Sequence, residues 1–581
     1  MDHPQLWWPN DLGAQPLYEF RATLTDSAGR VDTWQRRIGL RSLRLVREPD
    51  DAGESFTFEV NGTAIFAKGA NWVPHRILLP EITREDYARL LGDAADSHMN
   101  MLRVWGGGIY EDDAFYEICD ELGILVWQDF QFACGMYPTW DAKFLANVEQ
   151  EARDNVRRLR HHASLALWCG NNEMEGAFAG QPFYTWEEYG ALFDEVLPRV
   201  CAELDPDHAY WPSSPHSPQG DRMKTDSDAS GDTHHWSVFF GRQSIESQRN
   251  WRCRFMSEYG FQSFPELKTI ESFTEPEDRT LMSRIVDYRQ RSEVGNQTIF
   301  SYLIDWFQVP SDFGDTLTLS QLTHSLCVRY AAEHLRRLQP HCGGVLYWQI
   351  NDIWPCASWS SIDAFGRWKS LQYEAKRFFA PALISIEEDL LTSRARVHLS
   401  NQRADGATFF CHWQITNTDG KILWEDQKES TLAAQSGEYL GDIDATPLLR
   451  DYHAHDLMIW AWASQDGVIV SRNWAPLARP KHLTLADPQL KLDIDGAQIR
   501  ISSEKPAPYV RLSASGEDVW FDDNFFHLHP NEPRVITVTR GSVEDLANRL
   551  SAQSLADWMP ARAADSLLAL KDAGYQLQRK R

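Results

Sequence analysis

Residues Leu167 to Glu173 read Leu-Trp-Cys-Gly-Asn-Asn-Glu, and residues Arg254 to Gly260 read Arg-Phe-Met-Ser-Glu-Tyr-Gly. In each, a short apolar run leads to a glutamate, Glu173 in the first and Glu258 in the second. A strand buried on both faces reads as such a run, and parallel strands closed into a barrel lift the side chains at their carboxyl ends into a shared pocket. Two carboxylates delivered in this way are the minimum equipment for breaking a glycosidic bond, one as proton donor and the other as nucleophile or base.

Working outward from these stretches, strand and helix patterns alternate. Ala64 to Lys68 reads as a strand, Thr83 caps a helical run to Ser97, and Met99 to Val104 is the next strand. A helix from Asp112 to Leu122 leads into Ile124 to Gln128, and a long helix from Lys143 to His161 precedes Leu165 to Cys169. Ala209 to Pro212, the stretch to His235, Phe255 to Glu258 and Gly344 to Gln349 complete eight strands, the number that closes a (β/α)8 TIM barrel. The predicted fold class is therefore multidomain, α/β plus all-β, with a catalytic barrel over residues 61–381. At 581 residues the chain is too long for one core. Residues 1–60 read as strands without helices, the C-terminal part of an immunoglobulin-like β-sandwich. Residues 382–479 show short alternating strands with polar turns at Asn417 to Lys421 and Ser464 to Gly467, as expected of an immunoglobulin-like sandwich. Residues 480–541 predict a small β-sandwich-like domain. Residues 542–581, with leucines at helical spacing at Leu546, Leu550, Leu555 and Leu567 to Leu570, predict a helical tail.

A formal charge of −26 argues against nucleic acid or an anionic membrane as partner, since phosphate binding needs clustered Lys and Arg. A neutral substrate fits better. The 24 tryptophans suit sugar faces but also fill large cores. Nine cysteines lie scattered without a Cys-x-x-Cys pair, which points to reduced thiols in a cytoplasmic protein. The chain has no run of 18 apolar residues, and Met1 to Asn10 lacks a basic region followed by an apolar stretch.

Five stretches carry a family likeness: Leu102 to Tyr110 (Leu-Arg-Val-Trp-Gly-Gly-Gly-Ile-Tyr), Trp127 to Phe130 (Trp-Gln-Asp-Phe), Gly170 to Glu173, Ser257 to Gly260, and Tyr347 to Pro355 (Tyr-Trp-Gln-Ile-Asn-Asp-Ile-Trp-Pro). In this order they resemble glycoside hydrolase family 2, and within it the β-mannosidases. The resemblance implies that Glu173 is the general acid/base, with Asn172 beside it on the sugar 2-hydroxyl, and that Glu258 is the nucleophile. Partial burial among Trp168, Met174 and Phe178 is expected to raise the Glu173 pKa. Tyr259 or His235 are candidate donors to Glu258, and an ion pair of Glu258 with Arg254 is the bland alternative. The resemblance makes Trp348 the platform under the sugar and Trp105 a wall, with Arg103 bracing nearby carboxylates. Asp129 either orients a ligand or holds an arginine. Asn351 and Asp352 either bind hydroxyls or form a turn, and Asn71 and Trp72 match the family's first loop.

Two departures stand out. Thr233 to Trp236 reads Thr-His-His-Trp where family members often have His-Tyr-Trp, so His235 stands in place of a tyrosine, between His234 and Trp236. The histidine pair finds no third ligand at useful spacing, so no metal site is expected. Leu6 to Leu45 resembles only the end of the sandwich that precedes the family's barrel, so the chain is expected to lack the jelly-roll domain ahead of it. The function implied is a retaining exo-β-mannosidase without cofactor, acting as a monomer or homodimer on oligosaccharides with terminal β-mannose. Another family 2 exo-glycosidase (β-glucuronidase, β-galactosidase or exo-glucosaminidase) and a catalytically silent sugar-binding remnant are the rivals.

Overall fold

Eight parallel strands order themselves around one curled sheet: Ala67–Trp72, Met101–Val104, Leu125–Asp129, Leu165–Cys169, Ala209–Trp211, Thr233–His234, Met256–Glu258 and Gly344–Tyr347. The protein is described by a computed structural model covering residues 3–559 apart from 219, 220, 282, 311 and 531. The eighth strand pairs with the first, and only strands five and six, at the two edges of the order, lack a ladder between them. Side chains bridge that seam: Asp232 accepts from the Trp211 indole at 2.8 Å and from the Ser214 hydroxyl at 2.6 Å.

The helices form where their caps say. Thr83 accepts from the Asp86 amide, while the Asp86 carboxylate accepts from the Thr83 amide, so Arg84–Asp96 starts on a reciprocal capping box. Asp113–Leu122 starts on Asp112 and ends at Gly123, whose φ of +76° is the left-handed turn that favours glycine.

The N-terminal end of the barrel is plugged by aromatic rings. Phe56 packs against Trp211 at 4.9 Å and Phe255 at 5.3 Å, with Trp127 and Phe58 alongside, all fully buried. This corrects the predicted 1–60 unit. Tyr18–Thr25 and Val31–Ile38 form a hairpin, but Leu43–Val46, Thr57–Val60 and Thr63–Ile65 form a separate small sheet whose apolar face floors the barrel. The strand expected at Ala64 to Lys68 accordingly divides: Thr63–Ile65 belongs to the floor and Ala67–Trp72 to the barrel.

Seven strands between Ala382 and Pro476 make a sandwich of a three-stranded and a four-stranded sheet around Phe409, Trp413, Ile415 and Ile459. Its last hairpin turns on Asp466 and Gly467, both at positive φ, the conformation that matches strand twist. A second, smaller sandwich follows from Lys491. Here the expected helical tail is overturned over residues 542–558. Leu546–Arg549 and Leu555–Trp558 are single turns, while Leu550–Gln553 is a strand paired with Ala507–Ala514, completing the sheet. Leu567 to Leu570 lie outside the described residues. No helix among the described residues is long and apolar enough to cross a membrane.

Candidate active site

Both glutamates reach the carboxyl-terminal mouth of the barrel. Glu173 follows strand four in a loop clamped by Asn171, whose amide donates to the Pro212 carbonyl at 3.0 Å and accepts from Ser213 at 2.7 Å and the Met174 amide at 3.1 Å. That clasp holds Glu173 at a φ of +56°, a conformation a glutamate adopts only when its surroundings impose it. Glu258 ends strand seven. One oxygen of each carboxylate and one nitrogen of His234 lie within 4.8 Å of one another.

Arg103, completely buried, organises the floor. Its Nη1 donates to Oε1 of Glu258 at 2.6 Å and to Oδ1 of Asn71 at 2.8 Å. Its Nη2 donates to Oδ1 of Asn172 at 2.7 Å and Oδ2 of Asp129 at 2.8 Å. Asp129 also accepts from the Gly106 amide and the Trp127 indole, both at 3.0 Å. One guanidinium thus orients the Glu258 carboxylate and the amide beside Glu173, and Asp129 locks the guanidinium.

His234 completes the set, with Nδ1 at 2.8 Å from Oε1 of Glu173 and 3.4 Å from Oε2 of Glu258. Its Nε2 lies 3.0 Å from the Ser214 hydroxyl, whose own proton goes to Asp232 at 2.6 Å. Ser214 therefore accepts from Nε2–H, which leaves Nδ1 to carry or release a proton toward Glu173. Burial presses the imidazole toward its neutral form, but Glu258 and Glu173 outweigh it and His234 titrates above its ordinary value. At Glu173 burial favours the protonated carboxyl, yet the bond and charge of His234 hold it below the usual carboxylate range. At Glu258 burial prevails over His234 and Arg103, and the carboxyl titrates above that range. The expected raised Glu173 is thus corrected: the bond and charge of His234 lower its carboxyl against burial, and Trp168 turns its indole away to Asp205. The three clustered donors could also chelate a divalent cation by spacing alone, as paired carboxylates around an imidazole generally can.

A cavity of about 710 Å³ opens over the carboxylates, lined by Trp105, Asn172, Trp236, Trp348 and Asp352 among the anticipated residues. The Trp105 and Trp348 rings meet edge to face at 5.1 Å. Gly107 lies against Trp105, and a Cβ there would fall 2.0 Å from the indole. Asp352 accepts from Ser360 at 2.6 Å, and burial raises its carboxyl despite Lys369 nearby.

Other anticipated residues are placed elsewhere. Asp129 is fully buried beneath Arg103 and does not line the cavity. Trp72 follows Asn71 on the strand and so faces outward, packing on Phe115 at 5.0 Å and donating to Glu111 at 2.9 Å. The Asn351 amide is spent on the Val73 backbone. His235 stacks on Trp251 at 4.1 Å, and only its backbone amide touches Glu258, donating to its carbonyl. Tyr259 donates to the Val328 carbonyl at 3.2 Å, behind the strand. The side-chain donor to Glu258 is Arg103, and His234 faces its other oxygen at 3.4 Å as a charge partner. Arg254 pairs instead with Asp50 at 2.8 Å at the opposite end of the barrel.

The sequence reading passed over Cys134, Phe240, Arg291 and Trp359, which also line the cavity. The Cys134 thiol is 3.5 Å from Oε2 of Glu173 and accepts from Asn172 at 3.3 Å, and burial with the Glu173 charge pushes it up to about 12. None of the four falls in the five stretches that carry the family likeness, the signal that found most of the others.

Tryptophan-walled mouths around paired carboxylates on a (β/α)8 barrel are the working end of glycoside hydrolases. Comparison with known proteins narrows the class. Residues 1–41 match the family described as Glycosyl hydrolases family 2, residues 393–482 the Mannosidase Ig/CBM-like domain and residues 485–558 an Ig-fold domain of mannosidases. The chain is 34% identical to beta-mannosidase B of Thermothelomyces thermophilus and 37% identical to that of Aspergillus terreus. Each alignment spans 93% of this chain and 68% of the relative. The crystal structure of β-D-mannosidase from Dictyoglomus thermophilum superimposes with a TM-score of 0.87 at 33% identity, over 95% of this chain and 68% of that one. The chain belongs to glycoside hydrolase family 2.

Proposed function

We propose that the chain is a retaining exo-β-mannosidase, which removes terminal non-reducing β-D-mannose from oligosaccharides by double displacement. The observation that carries the reading is the spacing of the two carboxylates. Oxygens within 4.8 Å fit the separation of about 5–5.5 Å used by retaining enzymes and fall short of the roughly 6.5–9.5 Å that leaves room for an inverting water. Three names among the similar proteins, all β-mannosidases, support mannose as the sugar.

Before substrate enters, one proton is shared along the His234–Glu173 hydrogen bond. A sugar filling the cavity covers the third of the Glu173 side chain that is exposed, which favours the neutral carboxyl and draws the proton from Nδ1 to Glu173. Glu173 then protonates the glycosidic oxygen as Glu258 attacks the anomeric carbon, and the leaving alcohol departs. Arg103 anchors Oε1 of Glu258, so Oε2 is the oxygen free to attack. Water opens the glycosyl-enzyme, giving its proton to Glu173 and returning Glu258 as carboxylate. Asn172, held by Arg103 and Cys134, is placed for the 2-hydroxyl.

A panel of aryl β-glycosides with anomer-resolved product analysis tests the proposal. The mannoside should be preferred by at least about tenfold in kcat/KM, about 1.4 kcal/mol of transition-state discrimination, with β-mannose as first product. Preference for a glucuronide, galactoside or glucosaminide would move the specificity within the family. Sugar binding by folded protein without turnover of any glycoside would sink the hydrolase reading.

A further inference from the structure

The cavity is larger than its catalytic corner needs. Pockets of about 300–1,000 Å³ hold ligands larger than one sugar ring, and this one measures about 710 Å³. It carries two groups of aromatic rings. Trp105 and Trp348 meet beside the carboxylates, while Trp236 packs on Phe240 at 5.6 Å and on Trp359 at 6.2 Å to form a second wall. An exo-acting enzyme has nothing beyond the sugar it removes on the non-reducing side. Room in the cavity beyond that sugar is therefore room for the residue that leaves, and Trp236 with Trp359 would form its wall.

Arg291 belongs to this second volume. Its amide donates to the Ala357 carbonyl at 3.1 Å, and Gln290 bridges to the same residue, which seats Arg291 beside the segment that delivers Trp359. It is the sole lysine or arginine among the described residues lining the cavity, and its side chain is exposed. Among the described residues its guanidinium makes no ion pair; it lies over the Trp354 ring, 5.9 Å from the guanidinium carbon, and near the Cys356 thiol. Neighbouring Arg289 is spent differently, sandwiched on Trp354 and Phe273 and donating to the Pro355 carbonyl. The other charged residues lining the cavity are Glu173, Glu258 and Asp352, countered from beneath by Arg103, His234 and Lys369, so Arg291 is the one basic side chain that lines the cavity itself.

We propose that Arg291 selects an acidic leaving group: a uronic acid whose carboxylate pairs with the guanidinium while its ring lies against Trp236 and Trp359. The inference rests on the hydrolase reading and names the substrate class for it. A planar guanidinium is the side chain best matched to a carboxylate, which it meets with two parallel hydrogen bonds, and a neutral sugar gains nothing comparable from it.

The test compares β-mannosyl-(1→4)-glucuronic acid with β-mannosyl-(1→4)-glucose, which differ in that carboxylate alone. Discounted for solvent at an exposed site, the charge-assisted contact should favour the acidic disaccharide by about five- to tenfold in kcat/KM, chiefly through KM. Arg291→Gln should bring the ratio to one or below, because the other charged residues lining the cavity are acidic, and Arg291→Lys should keep part of it. Raising the salt concentration should shrink the wild-type preference. A wild-type ratio near one, or a ratio equal in wild type and Arg291→Gln, overturns the proposal. Hydrolysis of an aryl β-mannoside by the same samples stands as the separate check on the hydrolase reading, and its absence would indict that reading instead.

Discussion

Replacing His234 by asparagine should compress the pH–activity profile from both sides. In the wild type two protons matter. The first belongs to Glu258, which must be ionised to attack and whose buried carboxyl titrates above the usual carboxylate value of 4.5. The second is shared by His234 and Glu173 across 2.8 Å, and it leaves only as pH rises through the His234 pKa, above 6.5. The active form, with Glu258 charged and the shared proton present, lies between the two. Activity is thus lost at low pH through Glu258 and at high pH through the His234–Glu173 pair.

Asparagine can still donate to Oε1 of Glu173 but cannot hold the proton. Glu173 then loses a charge-assisted bond of about 1.5–3 kcal/mol, and its carboxyl rises from the lowered value that His234 imposed. The proton is then held by a carboxyl instead of by an imidazole whose pKa is raised above its ordinary value. A proton that leaves at lower pH takes the acid form with it, so the alkaline limb moves down. Glu258 loses the pull of the imidazolium and rises, so the acid limb moves up. Measured as kcat/KM against pH on an aryl β-mannoside, the bell should narrow and its maximum fall. An alkaline limb that stays in place or moves to higher pH would refute the shared-proton argument. So would a narrowing that appears equally in His235→Asn, since His235 touches Glu258 through its backbone alone.

Glu258→Ala should lower kcat by about 10⁴-fold or more, and azide should restore turnover to a mannosyl azide of inverted configuration, read by product NMR. Trp348→Ala removes the ring that meets Trp105 at 5.1 Å and should raise KM by about two- to tenfold through the lost aromatic contact, seen in saturation kinetics. Phe56→Ala opens the barrel floor among Trp127, Trp211 and Phe255 and should destabilise the barrel by about 3–5 kcal/mol, visible as an earlier thermal transition.

The barrel was legible because its strands are buried on both faces and read as continuous apolar runs, and because Thr83 and Asp112 mark helix starts with short polar side chains. The sandwich was legible in its alternation and its Asp466-Gly467 turn. What misled was pattern without partner. The stretch 43–65 alternates like any half-buried sheet, and nothing local says that Phe56 and Phe58 will meet a barrel floor rather than a second sheet. In the same way Leu546, Leu550 and Leu555 keep helical spacing, but the free edge of Ala507–Ala514 takes Leu550–Gln553 as a strand, a tertiary choice that overrides local preference. Trp72 shows a narrower failure, since consecutive residues of a strand face opposite sides and Asn71 and Trp72 cannot both serve the pocket.

The same rule explains the exchange of the two histidines. His234 sits in register with Glu258 in the parallel ladder, so the two side chains project together, and His235 falls on the other side against Trp251. Register here is set by an irregularity between Thr233 and His234, which depends on the neighbouring strand and has no sign in the residues themselves. Aligning the tyrosine position of the family with His235 preserves sequence order but assigns the role to a side chain that points away. The group that bridges the carboxylates in this chain is an imidazole, and unlike a phenol, which keeps its proton up to about pH 10, it can take up and release one near neutral pH.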